Sequence, residues 1–313
     1  MRRTTINSTP KTQYMSKLLI TGGTGLIGSE LCKILVENKV EVVILTTQRK
    51  VSAKNPKVQY VYWNPRERFI DLDFTIKGVS ILNLAGAGVA ERRWTPIRKQ
   101  EIIDSRIQSL QTLYRAIASG QIQATNLLSA SAIGFYAKKD QPLNEEDPPD
   151  NSFLSTTCTL WEKEAARFRT MGIPTAIARV GIVLSKEGGA LKEFLKPLQF
   201  GIAGIPGNGK QIMSWIHIED ICRMLLHILQ THSNETFNAV ADIPASTNEL
   251  FDAILQTKKG MKIHIPKVAL ELALGEMSIE ILKSAWVSNQ KIRQDGFQCQ
   301  YPTIELAIQN LLQ

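Results

Sequence analysis

The sequence predicts an α/β fold, a doubly wound parallel sheet with a smaller C-terminal lobe. Three observations predict it. Short apolar runs recur along the first 180 positions. Segments with a helical period separate them. A length of 313 residues with 43% apolar content can fill a large core without cross-links. Apolar strands alternating with helices form a parallel sheet covered on both faces.

The elements follow in order. Lys17–Thr21 (KLLIT) reads as the first strand, and Gly25–Asn38 carries a helical period through Ile27, Leu31, Ile34 and Leu35. Glu41–Thr46 and Val58–Trp63 are the next strands, and Ser80–Leu84 (SILNL) is the fourth. A long helix spans Pro96–Ser119, and Thr125–Ser129 is the fifth strand. Phe153–Met171 reads as a helix and Pro174–Arg179 as the sixth strand. After about residue 185 the rhythm changes. Gly188–Phe200 is helical, Gly201–Lys210 is rich in Gly and Pro, and Ser214–Asp220 (SWIHIED) leads into a helix ending near Thr231. Residues 241–313 mix short helices, a strand near Lys262–Ile265 and an end with no evident partner.

Composition excludes several classes. Charged residues are 21% of the chain, which argues against wholesale disorder. No apolar run approaches the ~20 residues of a membrane helix. Cys32, Cys158, Cys222 and Cys299 form no CxxC and read as thiols of a reducing, cytoplasmic compartment. The four histidines are scattered, so no metal site is expected. Arg2, Arg3 and Lys11 carry +3 of the +8 net charge, which leaves +5 for the remainder. That excess suits a site for phosphates, and without a basic-aromatic run it does not indicate nucleic acid. Residues 1–14 are polar, without an apolar segment of the signal-peptide kind, and are expected to be a disordered extension.

The strongest local signal is Thr21-Gly22-Gly23-Thr24-Gly25-Leu26-Ile27-Gly28, a G-x-x-G-x-x-G pattern between the first strand and the first helix. Gly22 permits the tight turn, Gly25 lets backbone approach a pyrophosphate, and Gly28 lets helix and strand pack closely. The helix N-terminus then offers N–H donors and a positive dipole end. This context predicts a Rossmann dinucleotide-binding fold. At the second strand's end, Thr46-Thr47-Gln48-Arg49-Lys50 has bases and no acid. An acid would suit the ribose of NAD; Arg49 suits the 2′-phosphate of NADP, so NADP(H) is preferred and NAD(H) is possible.

Further motifs carry a resemblance. TGGTGLIG, Val79–Gly86 (VSILNLAG) and Ser129–Tyr136 (SASAIGFY) resemble the extended short-chain dehydrogenase superfamily. Arg93-Trp94-Thr95, Asp104-Ser105-Arg106, Trp161-Glu162, Arg179–Leu184, Met213–Asp220 and Leu274–Met277 resemble its sugar-nucleotide epimerase-like branch with its own C-terminal domain. The resemblance implies an NAD(P)-binding Rossmann domain over 15–240, with 185–215 contributing to the substrate lobe, and a C-terminal substrate lobe over 241–313. It implies a cofactor set of Gly22, Thr24, Gly25, Leu26, Ile27, Gly28, Thr46, Arg49, Leu84, Ala85, Gly86, Arg106, Ser129, Arg179, Val180 and Ile182. It implies that Ser131 bonds the reacting hydroxyl and that His217 and Asp220 lie near the substrate cleft. A monomer and a homodimer are both allowed.

One family feature is missing. Hydride transfer in the superfamily uses Tyr-x-x-x-Lys, in which Lys lowers the Tyr pKa towards neutrality. Four residues after Tyr14, Tyr60, Tyr62, Tyr114, Tyr136 and Tyr301 stand Leu18, Asn64, Arg66, Ala118, Asp140 and Glu305. On the helix that should carry the pair, Cys158 takes the Tyr position and Glu162 the Lys position. Lys163 is one position out of phase, about 100° around the helix. The catalytic candidates are therefore Ser131, Glu162, Cys158 and Tyr136. Glu162 acts as a base if burial lifts its pKa, or it bonds a neighbouring backbone or Arg without doing chemistry. Two functions remain open: an NADP(H)-dependent epimerase or oxidoreductase acting on a sugar nucleotide or similar small polar substrate, and a non-catalytic NADP(H)-binding sensor.

Overall fold

The computed structural model describes residues 15–51, 55–137 and 141–313. The expected extension at 1–14 lies outside them. Seven strands come first: β1 (Lys17–Thr21), β2 (Glu41–Thr46), β3 (Val58–Asn64), β4 (Phe69–Ile70), β5 (Ile76–Asn83), β6 (Ile122–Ala132) and β7 (Thr175–Val180). Then follow β8 (Ile182–Leu184), β9 (Ile202–Pro206), β10 (Ile212–Met213), β11 (Trp215–His217), β12 (Thr236–Ala239), β13 (Ala245–Ser246) and β14 (Met261–Ile265). The helices are α1 (Leu26–Glu37), α2 (Pro96–Ala118), α3 (Phe153–Ala166), α4 (Gly189–Leu195), α5 (Ile218–Thr231), α6 (Thr247–Thr257), α7 (Lys267–Leu274), α8 (Met277–Leu282), α9 (Gln290–Gln294) and α10 (Ile304–Leu312).

Eight strands form one sheet in the order β12-β7-β6-β5-β1-β2-β3-β4. Its neighbours are parallel except β3 and β4. The chain winds outward from β1 through β2 and β3, returns to β5 on the other side of β1, and winds outward again. The strand order therefore switches between β1 and β5, where open α/β sheets hold ligands. Alternate residues feed the two faces. Leu18, Ile20, Val42 and Ile44 join one core; Leu19, Val43, Leu45 and Ile81 join the other. Both faces are buried, which is why these strands read as unbroken apolar runs.

Several elements differ from expectation. β5 starts at Ile76 and stops at Asn83, so Leu84 lies beyond it. β6 runs on to Ala132, which places Ser131 inside the strand. α3 ends at Ala166, and a tight turn then closes at Gly172 with φ +73. β12 (TFNA) escapes pattern reading because it is short and half polar. The C-terminal end is helical: Thr303 caps α10, whose Ile304, Ala307, Ile308 and Leu311 are buried. Their spacing makes one apolar face, which packs against α6.

Candidate functional site

The loop between β1 and α1 is built from glycines with distinct duties. Gly22 has φ +70, and a Cβ there would lie 2.8 Å from the Leu84 carbonyl. It lets the turn after β5 approach. A Cβ on Gly28 would lie 2.4 Å from the Gly22 oxygen, so Gly28 seats α1 on the loop. Gly25 differs from both. Its φ of −79 suits any residue, and an added Cβ would meet only the Gly22 oxygen, at 3.2 Å. The remaining space around it is open. Gly25 is the N-cap of α1, no side chain caps the helix, and its first turn holds no acid. The positive end of the helix is thus bare, as a phosphate requires.

A cleft of about 1020 Å³ opens in front of this loop. Gly22, Thr24, Thr46, Ala85 and Gly86 line it, with Gln48, Tyr62, Asn64, Arg66, Asp104 and Gln108. The last six were not singled out as ligand contacts from sequence; they come from β3, α2 and the segments that follow β2 and β3. Arg49 stands outside this wall, with its guanidinium 4.1 Å from the Tyr62 ring centre. Arg66 is the basic residue in the wall. Under the switch point, Thr21 Oγ1 donates to Asn83 Oδ1 and Asn83 Nδ2 donates to Ser129 Oγ. The Ser129 hydroxyl is therefore committed beneath the sheet ends, where its side chain has no access to a ligand. Leu26 packs towards Gly188, while Ile27 and Leu84 pack against the core. Val180 and Ile182 flank Gly181, where a Cβ would lie 2.7 Å from the Ser214 oxygen.

The surroundings of α3 look different. Ser131 Oγ donates to Glu162 Oε1 at 2.7 Å. Arg179 grips the same carboxylate with two bonds, Nε to Oε1 and Nη2 to Oε2, each 2.9 Å. Arg179 Nη1 also donates to the Tyr136 hydroxyl and the Glu145 carbonyl. Tyr136 in turn donates to Asn238 Oδ1 at 2.6 Å. Burial lowers the Arg179 pKa, but the Glu162 bonds and charge outweigh it and the net shift is upward. Burial pushes Tyr136 up to about 12 despite Arg179. Cys158 is buried, and burial first, then the Glu162 charge, push its thiol up to about 11.

A family model described as the NAD dependent epimerase/dehydratase family matches residues 18–239. The chain belongs to this family. A second model, a domain of unknown function (DUF1731), matches residues 265–311. An epimerase family protein of Staphylococcus saprophyticus, SSP1921, is 37% identical over 95% of this chain and 100% of its own. The crystal structure of human epimerase family protein SDR39U1 (isoform 2) with NADPH is 25% identical, with a TM-score of 0.84 over 95% of this chain and 99% of that one. A nucleoside-diphosphate sugar epimerase from Corynebacterium glutamicum is 27% identical, with a TM-score of 0.70 over 95% of this chain and 58% of that longer one.

Within this epimerase-family chain, several expected contacts take other partners. Tyr136 is fully buried, a packed member of the Arg179 network. Arg179 is bound to Glu162, Tyr136 and Glu145, and it is not among the residues that line the cleft. Glu162 is ion-paired to Arg179 through both oxygens, as in the expectation that it bonds a neighbouring Arg. His217 Nδ1 accepts from Glu219 N and caps α5, while Nε2 meets Asn310. Asp220 accepts from the backbone of Gln300 and Tyr301, tying the C-terminal segment to α5. These two residues hold the lobe on. Gly86 is small for a reason of its own: a Cβ there would lie 3.0 Å from the Arg106 guanidinium carbon. Among the described residues no helix is long and apolar enough to cross a membrane, and no three metal-ligating side chains cluster.

Proposed function

We propose that this chain is an NADP(H)-binding epimerase or oxidoreductase of the epimerase/dehydratase family, acting on a sugar nucleotide or similar small polar substrate. One observation carries the cofactor half: the bare, glycine-built N-terminus of α1 facing the cleft of about 1020 Å³. Gly22, Thr24, Gly25 and the first turn of α1 would hold the pyrophosphate, and Thr46, Gln48 and Arg66 the adenosine end. NADP(H) is favoured over NAD(H) by Arg66 in the wall and by Arg49 and Lys50 beside it, with no acid at the end of β2. The NADPH in the human relative's structure points the same way. When bound, the nicotinamide supplies or accepts a hydride.

In this reading Ser131 takes the proton of a substrate hydroxyl while passing its own to Glu162, with which it shares a bond of 2.7 Å. Arg179 holds that carboxylate by both oxygens. This clasp favours a second reading, a protein that binds NADP(H) and senses it without turnover. One experiment separates them. The purified protein is titrated with NADPH by fluorescence, and the complex is then offered a panel of nucleotide sugars while nicotinamide absorbance is followed. Tight NADPH binding with a substrate-dependent change supports the enzyme. Tight binding with a flat signal throughout supports the sensor. Absence of binding to NADPH and NADH alike overturns both.

A further inference from the structure

Arg106 is a cation without an acid. It lies on α2 where that helix passes the turn after β5 and meets α3. Its Nη1 donates to the carbonyls of Ala87 (3.0 Å) and Ile102 (2.9 Å). Its guanidinium carbon stands 4.9 Å from the centre of the Trp161 ring. Neighbouring arginines are paired: Arg98 with Glu91 and Glu101, and Arg179 with Glu162. Arg106 has no such partner, and its Nε and Nη2 bond nothing among the described residues. The indole Nε1 of Trp161 is buried and also has no acceptor. Three donors without acceptors therefore sit at the α2–α3 junction, on two side chains in contact.

The buried indole N–H of Trp161 is costly without an acceptor, and the open Arg106 nitrogens beside it are on a half-buried side chain, where an anion could meet them. Burial pushes Arg106 down to about 10, against an upward pull from Cys158 and with a smaller like-charge repulsion from Arg98. The same influence of Cys158 places Arg106 near the position that holds the family tyrosine. Gly86 is kept small so that this guanidinium fits beneath the turn. The cofactor's own pyrophosphate is an unsuitable partner. The cleft wall contains Gly86, Ala87 and Ser105 but not Arg106, and the α1 N-terminus already serves that anion.

We propose that Arg106, with Trp161, is the receptor for a carboxylate or phosphate group of the second ligand, so the substrate is an acidic small molecule whose anionic group lies beside Ser131 and Cys158. This rests on the cofactor-binding reading above and deepens it. A planar guanidinium with Nε and Nη2 open matches a two-oxygen anion.

The test uses calorimetry on the NADPH-saturated full chain at constant ionic strength. Inorganic phosphate and malonate are the probes, with chloride as the control. Saturable binding of at least one probe is expected, weakened about 10- to 100-fold in Arg106→Gln, as for a lost charged hydrogen bond. Arg106→Lys keeps the charge without the fork and should recover part of it. NADPH affinity should fall less than probe affinity in both variants, because Arg106 touches the cleft wall only at Gly86 and through the Ala87 carbonyl. Circular dichroism checks folding, and Arg106→Lys carries the comparison if Arg106→Gln unfolds. The proposal is overturned if neither probe binds the wild type, or if both variants bind the probes as well as the wild type does. It is also overturned if Arg106→Gln weakens NADPH binding as much as it weakens probe binding, since the anion is then the cofactor's own. Should the wild type bind a probe through Arg106 yet bind no NADPH, the cofactor reading fails and the anion receptor stands.

Discussion

At the β1–α1 turn the backbone is bare: Gly25 opens onto empty space and α1 has no capping side chain. At the ends of β6 and β7, Ser131, Glu162, Arg179, Tyr136 and Asn238 bond one another in a continuous chain. The first region leaves donors waiting for a ligand; the second supplies its own acceptors. Both occupy the C-terminal edge of one sheet, so fold position alone does not decide whether a site is open. What decides it is whether the polar groups already have partners.

The largest expected effect tests the closed region. Glu162→Gln leaves buried Arg179 without its counter-charge and should lower stability by about 3 kcal/mol, read by urea unfolding. NADPH affinity should hold within about twofold. Unchanged stability with a loss of turnover of ~10²-fold would instead make Glu162 a working base and erase the contrast. Next is the open region. Gly25→Val should weaken NADPH binding at least about 100-fold, about 2.7 kcal/mol, with circular dichroism unchanged. The methyl groups would enter the space before α1, and the ordinary φ at this position removes backbone strain as an explanation. Full affinity in that variant means the loop is only a turn. Smaller again is cofactor choice. NADPH should bind about tenfold tighter than NADH, about 1.4 kcal/mol. Arg66→Glu should shrink this gap more than Arg49→Glu, since Arg66 lies in the wall. An inverted order would show that Arg49 leaves Tyr62 to meet the phosphate.

The smallest effect concerns the thiol. Between the ordinary value of 9.0 and about 11, the folded chain keeps a Cys158 proton that the unfolded chain releases. This contribution is intact below pH 9.0 and is lost as pH rises towards 11. Cys158→Ser should flatten that part of the stability–pH curve slightly. At pH 8 about one thiol in a thousand would be ionised, so iodoacetamide should leave Cys158 unmodified in the folded chain. Rapid labelling would reveal a reactive site where the structure places a packed side chain.

The open region was legible in the sequence because its function uses neighbours. Gly22, Gly25 and Gly28 fall within one turn, and their spacing is the geometry. The closed region was legible only as an absence, the missing Tyr-x-x-x-Lys. Cys158 and Glu162 could be placed by phase on a helix, but the partner that matters, Arg179, comes from a strand 17 residues later. No local pattern announces that pairing. Arg66 was passed over for the same reason, since it reaches the cleft wall on the turn after β3, a strand held beside β2 by pairing far apart in sequence. β12 was too short and polar to read, and α10 was missed although its Ile304, Ala307, Ile308 and Leu311 already had the helical period.

The Arg179–Glu162 clasp also bears on how such a chain can change. Introducing lysine at position 162 alone would set two cations face to face in a dry interior, and introducing tyrosine at 158 alone would force a ring into the space of a packed thiol. Either single step towards the superfamily's usual pair crosses a deep valley. Arg179 must be neutralised first, and only afterwards can the two helix positions move. A chain that has closed this clasp is therefore held by the order in which its substitutions can occur.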